Sequence, residues 1–329
     1  MIKTRLILIG ILILLTAACN PQQPAETASV NSVPVAVAQE AEQLQPLSTP
    51  STTFGEVGVL SDPSAFIIVE ASGELDAGQL NIPTDWISYS IGQTVQGREI
   101  LVYEFGVGNT NILMVCNVHG NEQTVGICTN TMNKISADSS LLADTQRVFV
   151  IPALNVDGTV LFLAEEANGN FSQAARTNAK GIDINRNWGG TFVKTDTSGP
   201  SEFSEPESQA LRDFALSIKP TVTLIYHAFD PGIIIAGGTG QNNSADANAT
   251  ATKSTLLANK MHEGMSEYRV HVRSADKVLN GSIDYWFIDN LMPVLTFEII
   301  LKDGDEPYKG NPDIEAHWNG FNVILAETK

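Results

Sequence analysis

Two histidines and two glutamates stand where apolar runs end. His119 and Glu122 lie three apart in N-V-H-G-N-E-Q-T-V, residues 117–125, directly after the run Ile112 to Cys116. His227 closes T-V-T-L-I-Y-H much later in the chain, and Glu298 interrupts V-L-T-F-E-I-I. Two imidazoles and a carboxylate on short turns are a donor set for zinc, which takes about three protein ligands and keeps one position open for water. Gly120 lets the backbone bend between the first two. Zinc lowers the pKa of its water towards about 7, and a second carboxylate must then accept the proton. Glu298 is the candidate, because an ionisable group in an apolar strand is costly unless it faces a polar cleft. Each residue alone has a plainer reading. An H-x-x-E arises often by chance, His227 fits a hydrogen-bonded core histidine, and Glu298 fits the surface of an edge strand. Together, in order, on strand ends, they point to a metal site. His262 reads as a helix-surface residue, and His271 and His317 as structural or exposed.

A second cluster runs A-R-T-N-A-K-G-I-D-I-N-R-N-W, from Ala175 to Trp188. Arginine grips a carboxylate with a two-pronged fork, and a second arginine can stabilise an oxyanion. The plainer reading is a polar loop with solvated charges.

These residues need elements to hold them. Strands are expected at Ile100–Phe105, Ile112–Cys116, Arg147–Leu154, Thr221–Phe229 and Val294–Ile300, as continuous apolar runs that suit strands covered on both faces. A helix is expected from Glu122 to about Ile135. Another should start at Ser204-Glu205-Pro206-Glu207, which has the spacing of a capping box with proline in the first turn. Ala210, Leu211, Phe214, Ala215 and Ile218 supply its apolar stripe. A last amphipathic helix is expected from about Asp313 to Thr328. Strands alternating with helices predict an α/β fold, an open, mixed, mostly parallel sheet flanked by helices. Such sheets bind ligands beyond the carboxyl ends of their strands, where His119, His227 and Glu298 fall.

The rest of the chain sets bounds. Lys3 and Arg5, the apolar run Leu6 to Leu15 and L-T-A-A-C read as an export signal too short to span a bilayer permanently. Small residues before Cys19 resemble the lipobox of a bacterial lipoprotein, with Thr16 where leucine is preferred. The expected organisation is a signal peptide over 1–18 and a tether over 19–60, followed by a catalytic domain over 61–329. Cys19 would carry a lipid anchor, and a plain secretory signal is the alternative. The tether is rich in Gln, Ala, Pro, Ser, Thr and Val and lacks the apolar surface to offset its ordering entropy. The protein is thus expected in the cell envelope, lipid-anchored, best placed on an outer membrane facing the periplasm, or secreted. A net charge of −18 argues against nucleic-acid binding, which needs clustered Lys and Arg. Cys116 and Cys128 both sit in apolar surroundings, which favours two buried free thiols over a disulfide.

Taken in order, H-G-N-E, L-N-V-D-G (Leu154 to Gly158), R-T-N-A-K-G-I-D-I-N-R-N-W, S-E-P-E-S, a strand ending in histidine, and T-F-E resemble the zinc metallocarboxypeptidase family. The resemblance spans about Ile91 to Ile300, and I-G-Q-T-V-Q-G-R-E-I with the loop-poor layout is most similar to its bacterial branch, which includes murein-peptide amidases. It implies one zinc ion held by His119, Glu122 and His227, with Glu298 as general base. Arg176 would polarise the scissile carbonyl, and Asn185 and Arg186 would grip the substrate's terminal carboxylate. Ile283, in Gly281-Ser282-Ile283-Asp284, would line the side-chain pocket and favour an apolar group. Two positions depart from the family pattern. Asp276 stands where the family often has a mobile tyrosine, and Ala228-Phe229 follows the third ligand where many relatives have Ser-Tyr.

The implied partner is a peptide with a free C-terminal carboxylate. One rival is an N-acyl amino acid deacylase of the aspartoacylase or succinylglutamate desuccinylase type, which shares H-x-x-E and a distant histidine. Another is a non-catalytic binder of peptide termini. The two long polar motifs favour the peptidase, and the filled ligand and base positions favour an enzyme.

Overall fold

The apolar runs form the middle of an eight-stranded mixed sheet. The structure is a computed structural model that describes residues 75, 80–167, 173–228, 232–273, 278–302 and 311–329. The segments expected to be an export signal and a tether, residues 1–60 with Cys19, lie outside the described residues, as do Phe229 and Asp276. In chain order the sheet strands are β1 (Ile87–Gln93), β2 (Glu99–Gly106), β3 (Thr110–Val115), β4 (Gln146–Ile151), β5 (Val222–His227), β6 (Ile233–Ala236), β7 (Arg269–Val272) and β8 (Val294–Glu298). Their spatial order is β1-β2-β4-β3-β5-β8-β6-β7. The central pairings β4·β3, β3·β5 and β5·β8 are parallel, as is β6·β7. The β1·β2, β2·β4 and β6·β8 pairings are antiparallel.

Successive side chains of a strand point to opposite faces, and the core divides accordingly. Ile112 and Met114 of β3 pack on one side with helices α1 (Val125–Ala137), α4 (Ala245–Gly264) and α6 (Ile314–Glu327). Leu113 and Val115 pack on the other, with α2 (Val156–Ala167), α3 (Pro206–Ile218) and α5 (Ile283–Asp289). Every residue of β5 is buried, as strands covered on both faces require. The five expected strands and three expected helices are present, each within a few residues of its predicted bounds. The expected sheet is present too, with β1-β2 on one side and β6-β7 on the other joined to the parallel centre through the antiparallel pairings β2·β4 and β6·β8.

Two local expectations are corrected. Cys116 and Cys128 are joined by a disulfide, with Cα atoms 6.4 Å apart. The helix that follows the His119–Glu122 turn folds back over the end of β3, so its first turn brings Cys128 onto Cys116. Apolar surroundings hold a disulfide as readily as two thiols, and composition alone could not separate them. The capping box does not form either. The N-cap of α3 is Glu205, and its side chain makes no capping hydrogen bond. Asn187 pins this helix start instead: its Oδ1 accepts from Glu205 N (3.1 Å) and Ser208 Oγ (2.6 Å). Glu207 turns away from the helix end and accepts from Val95 N (3.1 Å) and Asn178 Nδ2 (3.1 Å).

Candidate metal centre

The parallel strands β3, β5 and β8 deliver their chemistry to one edge. β3 ends just before His119, β5 ends on His227, and β8 ends on Glu298. His227 and Glu298 are direct neighbours in the β5·β8 register. The turn carrying His119 packs against the start of α2 so closely that a Cβ on Gly120 would meet the Gly158 carbonyl carbon at 2.1 Å. Only glycine fits there, and that contact seats the ligand loop.

His119, Glu122 and His227 are all buried, and one ligand atom from each lies within 4.8 Å of the others. His119 Nδ1 is 2.6 Å from Glu122 Oε1, His227 Nδ1 is 2.8 Å from Glu122 Oε2, and the two Nδ1 atoms are 3.2 Å apart. Both rings therefore turn the same nitrogen inwards. The outward nitrogen of His119, Nε2, is 3.0 Å from Asp183 Oδ1. A carboxylate on the far nitrogen fixes the tautomer that leaves Nδ1 for a metal, the usual outer support of a histidine ligand. The residues thus fit one zinc ion in donor type, number and outer support.

The local charges agree. Burial alone lowers the His119 pKa, but the Glu122 and Asp183 carboxylates outweigh it and raise it to about 9. Burial raises Glu122, but the charges on His119 and His227 outweigh it and bring it to about 2. Asp183 is likewise held well below the usual carboxylate range, burial being outweighed by His119, Arg176 and Arg186. This is a pocket whose anionic field favours added positive charge.

Arg176 approaches from the 173–187 loop, with Nη1 3.5 Å from Glu122 Oε1 and Nη2 3.0 Å from Asp183 Oδ2. Its side chain is 30% exposed, so one face is open to a ligand. Asn185 is turned inwards. Its Oδ1 accepts from Ile283 N (3.0 Å) and Ser282 Oγ (3.3 Å), and its Nδ2 lies 3.3 Å from His227 Nε2. Arg186 folds one Nη1 bond onto the Asn185 carbonyl (2.7 Å) and is half-buried. Ile283 is fully buried in the apolar core below them. Gly281, at φ +62°, lets this segment touch down: a Cβ there would lie 2.1 Å from the Arg186 carbonyl oxygen. His119, Glu122, His227, Arg176, Asn185 and Arg186 are therefore brought together, with Glu298 paired directly with His227 across the sheet. Cys19 is not among the described residues.

The other histidines stay apart from the site. His262 and His271 are exposed. His317 is buried, with Nε2 2.9 Å from Tyr268 Oη.

Three contributors lie beyond the reach of the strand-end pattern. Asp183 lies inside the arginine-rich motif, and its Oδ1 also accepts from Asn185 N at 2.9 Å. The usable signal was an acid two residues before the Asn-Arg pair. Asn178 anchors the same loop: its Oδ1 accepts from Lys180 N (3.1 Å) and Ile182 N (3.0 Å), while its Nδ2 donates to Glu205 (2.9 Å) and Glu207 (3.1 Å). Arg273, just past β7, donates from Nε to the buried Asp284 (2.9 Å) and senses the charge of Glu298.

The comparisons with known proteins point the same way. The family described as zinc carboxypeptidase matches residues 75–322. The carboxypeptidase N catalytic chain of Homo sapiens is 32% identical over 116 residues, covering 30% of this chain and 25% of that protein. Carboxypeptidase E of Caenorhabditis elegans is 25% identical over 195 residues, covering 49% of this chain and 41% of that protein. The matches thus span less than half the length of these relatives. Among solved structures, carboxypeptidase A from Helicoverpa armigera superposes with a TM-score of 0.58 at 20% identity, over 77% of this chain and 70% of that one. The murein-tripeptide amidase of Escherichia coli O157 superposes with a TM-score of 0.50 at 20% identity, over 72% of this chain and 91% of that one. At such identities the likeness is one of fold.

Proposed function

The chain belongs to the zinc carboxypeptidase family, and from that premise we propose that it hydrolyses the amide bond next to a residue with a free C-terminal carboxylate. The observation that carries this reading is the buried triad His119, Glu122 and His227, with Asp183 behind it and Glu298 beside it in register. Zinc held by the triad would supply a Lewis acid and a water of lowered pKa.

The chain's own groups do the remaining work. Arg176, with one face open, hydrogen-bonds the scissile carbonyl oxygen and stabilises the negative charge that grows there. Glu298 accepts a proton from the attacking water on its carboxylate and returns it to the leaving amine nitrogen. Arg186 receives the terminal carboxylate. Asn185, whose amide is taken up by Ile283, Ser282 and His227, holds Arg186 and His227 in place as much as it meets substrate. Ile283 closes the floor of the side-chain subsite.

The substrate reading extends to a cell-wall (murein) peptide. It is supported by the export signal and lipobox at residues 1–19, which would put the enzyme in the envelope on a lipid carried by Cys19. Purified protein should release C-terminal residues from muropeptides or a peptide library, identified by mass, and lose that activity to a chelator. Glu298→Ala should retain zinc and lose about 10²–10⁴-fold in kcat/KM. A Glu298→Ala variant that cleaves at near wild-type rate would sink the mechanism. Turnover of N-acetyl-aspartate in place of peptides would transfer the site to the deacylase reading.

A further inference from the structure

Two of the three metal ligands share one loop, so the loop's ends decide whether they meet the third. The chain leaves β3 at Val115 and enters α1 at Val125. Across that gap Asn117 and Thr124 clasp each other. Asn117 Oδ1 accepts from Thr124 N (2.8 Å) and Oγ1 (2.9 Å), and Thr124 Oγ1 accepts from Asn117 N (2.7 Å). Thr124 is also the N-cap residue of α1. Its side chain, spent on Asn117, makes no capping bond, and the first turn carries no acidic residue. The usual devices that fix a helix start are therefore missing.

A covalent bond stands in their place. The Cys116–Cys128 disulfide ties the residue after β3 to the first turn of α1, across a separation of 12 residues. Both cysteines are fully buried. The closed loop contains His119 and Glu122, while His227 comes from β5 outside it. The loop also holds two non-glycine residues in the left-handed region, Asn117 (φ 44°) and Gln123 (φ 52°). A bulky or unsupported residue leaves that region when the surrounding structure allows it.

We propose that the Cys116–Cys128 disulfide is a positioning element of the metal centre, and that it governs how long zinc stays bound. The proposal rests on the reading of His119, Glu122 and His227 as the zinc ligands. With the bond intact, the helix start and the strand end are one rigid frame. His119 and Glu122 are then presented together to His227. With the bond absent, the Asn117–Thr124 clasp still ties the loop's two ends and the Gly120–Gly158 contact still seats its middle, but no covalent link holds the helix start to the strand end, and open arrangements become available that hold fewer than three ligands. The bond's effect thus falls on the loop first and on the fold second.

The test compares zinc release from wild type, C116A/C128A and L257A, each loaded with zinc and trapped with a colorimetric chelator well below its unfolding temperature. Leu257 is a buried core residue of α4, on an element that supplies neither end of the loop, so L257A controls for plain loss of stability. C116A/C128A should release zinc about 10–100-fold faster than wild type, matching in size the affinity lost when an outer support of a metal ligand is removed, with L257A releasing at the wild-type rate. Equal rates in C116A/C128A and wild type overturn the proposal, as do equal rates in C116A/C128A and L257A.

Should the double variant not fold, wild type refolded in a phosphine reductant and desalted takes its place. Treatment with glutathione disulfide then re-forms the protein S–S bond while the oxidant is reduced to two glutathione thiols. Slow zinc release restored by that treatment supports the proposal, and unchanged release overturns it. A wild type that holds no zinc sinks the metal-centre reading and the brace with it. A zinc-holding wild type with unchanged variant rates sinks the brace alone.

Discussion

Asp183→Asn is the sharpest probe of the centre, because it keeps the shape while removing the charge and turning one acceptor into a donor. Asp183 makes three contacts. Its Oδ1 meets His119 Nε2 at 3.0 Å and Asn185 N at 2.9 Å, and its Oδ2 meets Arg176 Nη2 at 3.0 Å. All three partners are donors when Nδ1 of His119 is free to bind metal, so the carboxylate accepts on both oxygens. An asparagine has one accepting oxygen. If that oxygen keeps the Oδ1 position, the amide NH₂ faces the Arg176 guanidinium, donor against donor. If it flips, the NH₂ faces His119 and Asn185 and drives the imidazole towards the wrong tautomer. Either way at least one charge-assisted bond is lost, worth about 1.5–3 kcal/mol. That range corresponds to roughly 10–100-fold in zinc affinity. The assay is chelator competition for the zinc Kd, with kcat/KM on a C-terminally free peptide measured in parallel. Far-ultraviolet circular dichroism confirms that the variant is folded. A folded Asp183→Asn variant with zinc affinity and kcat/KM both within about threefold of wild type would refute the claim that Asp183 sets the His119 tautomer.

Three further outcomes are expected. His119→Ala should purify with little or no zinc by elemental analysis, since two protein ligands are too few for a stable site. Asn178→Ala removes the donor shared by the buried Glu205 and Glu207. It should cost roughly 3 kcal/mol in urea unfolding and lower kcat/KM by loosening the loop that carries Arg176 and Asp183, whereas an unchanged kcat/KM would separate the loop from the chemistry. Burial pushes His317 down to about 3, against about 6.5 in an unfolded chain. The unfolded state therefore binds the extra proton, and the stability from His317 is full above pH ~6.5 and lost as pH falls towards ~3. Between pH 6.5 and 4 wild type should lose about 3 kcal/mol more than His317→Gln, measured by urea unfolding across that range, and parallel curves for the two proteins would show that His317 does not couple folding to acid.

Where the sequence was readable, one reason recurs: the signal was local and strong. Strands buried on both faces must be apolar throughout, so β3, β4, β5 and β8 announced themselves. Residues that break such a run at its carboxyl end, His227 and Glu298, were conspicuous for the same reason. The half-exposed β1 and the four-residue edge strand β7 carried no comparable signal. Neither did α4, whose Ala, Thr and Asn stretch lacks a clear apolar stripe. The misreadings arose where one residue type serves two geometries. A serine followed three residues later by glutamate fits a capping box, but here a distant asparagine, Asn187, holds the helix start and frees Glu207 to grip Asn178. Two cysteines in apolar surroundings fit thiols or a bond, and the packing of α1 onto β3 decides for the bond. Asp183 carries little signal of its own in the sequence, because its importance lies in a partner 64 residues away, His119. The ligands of such a centre can be read from strand ends. The groups that orient them are supplied by loops, and only the fold shows which loop residue faces which ligand.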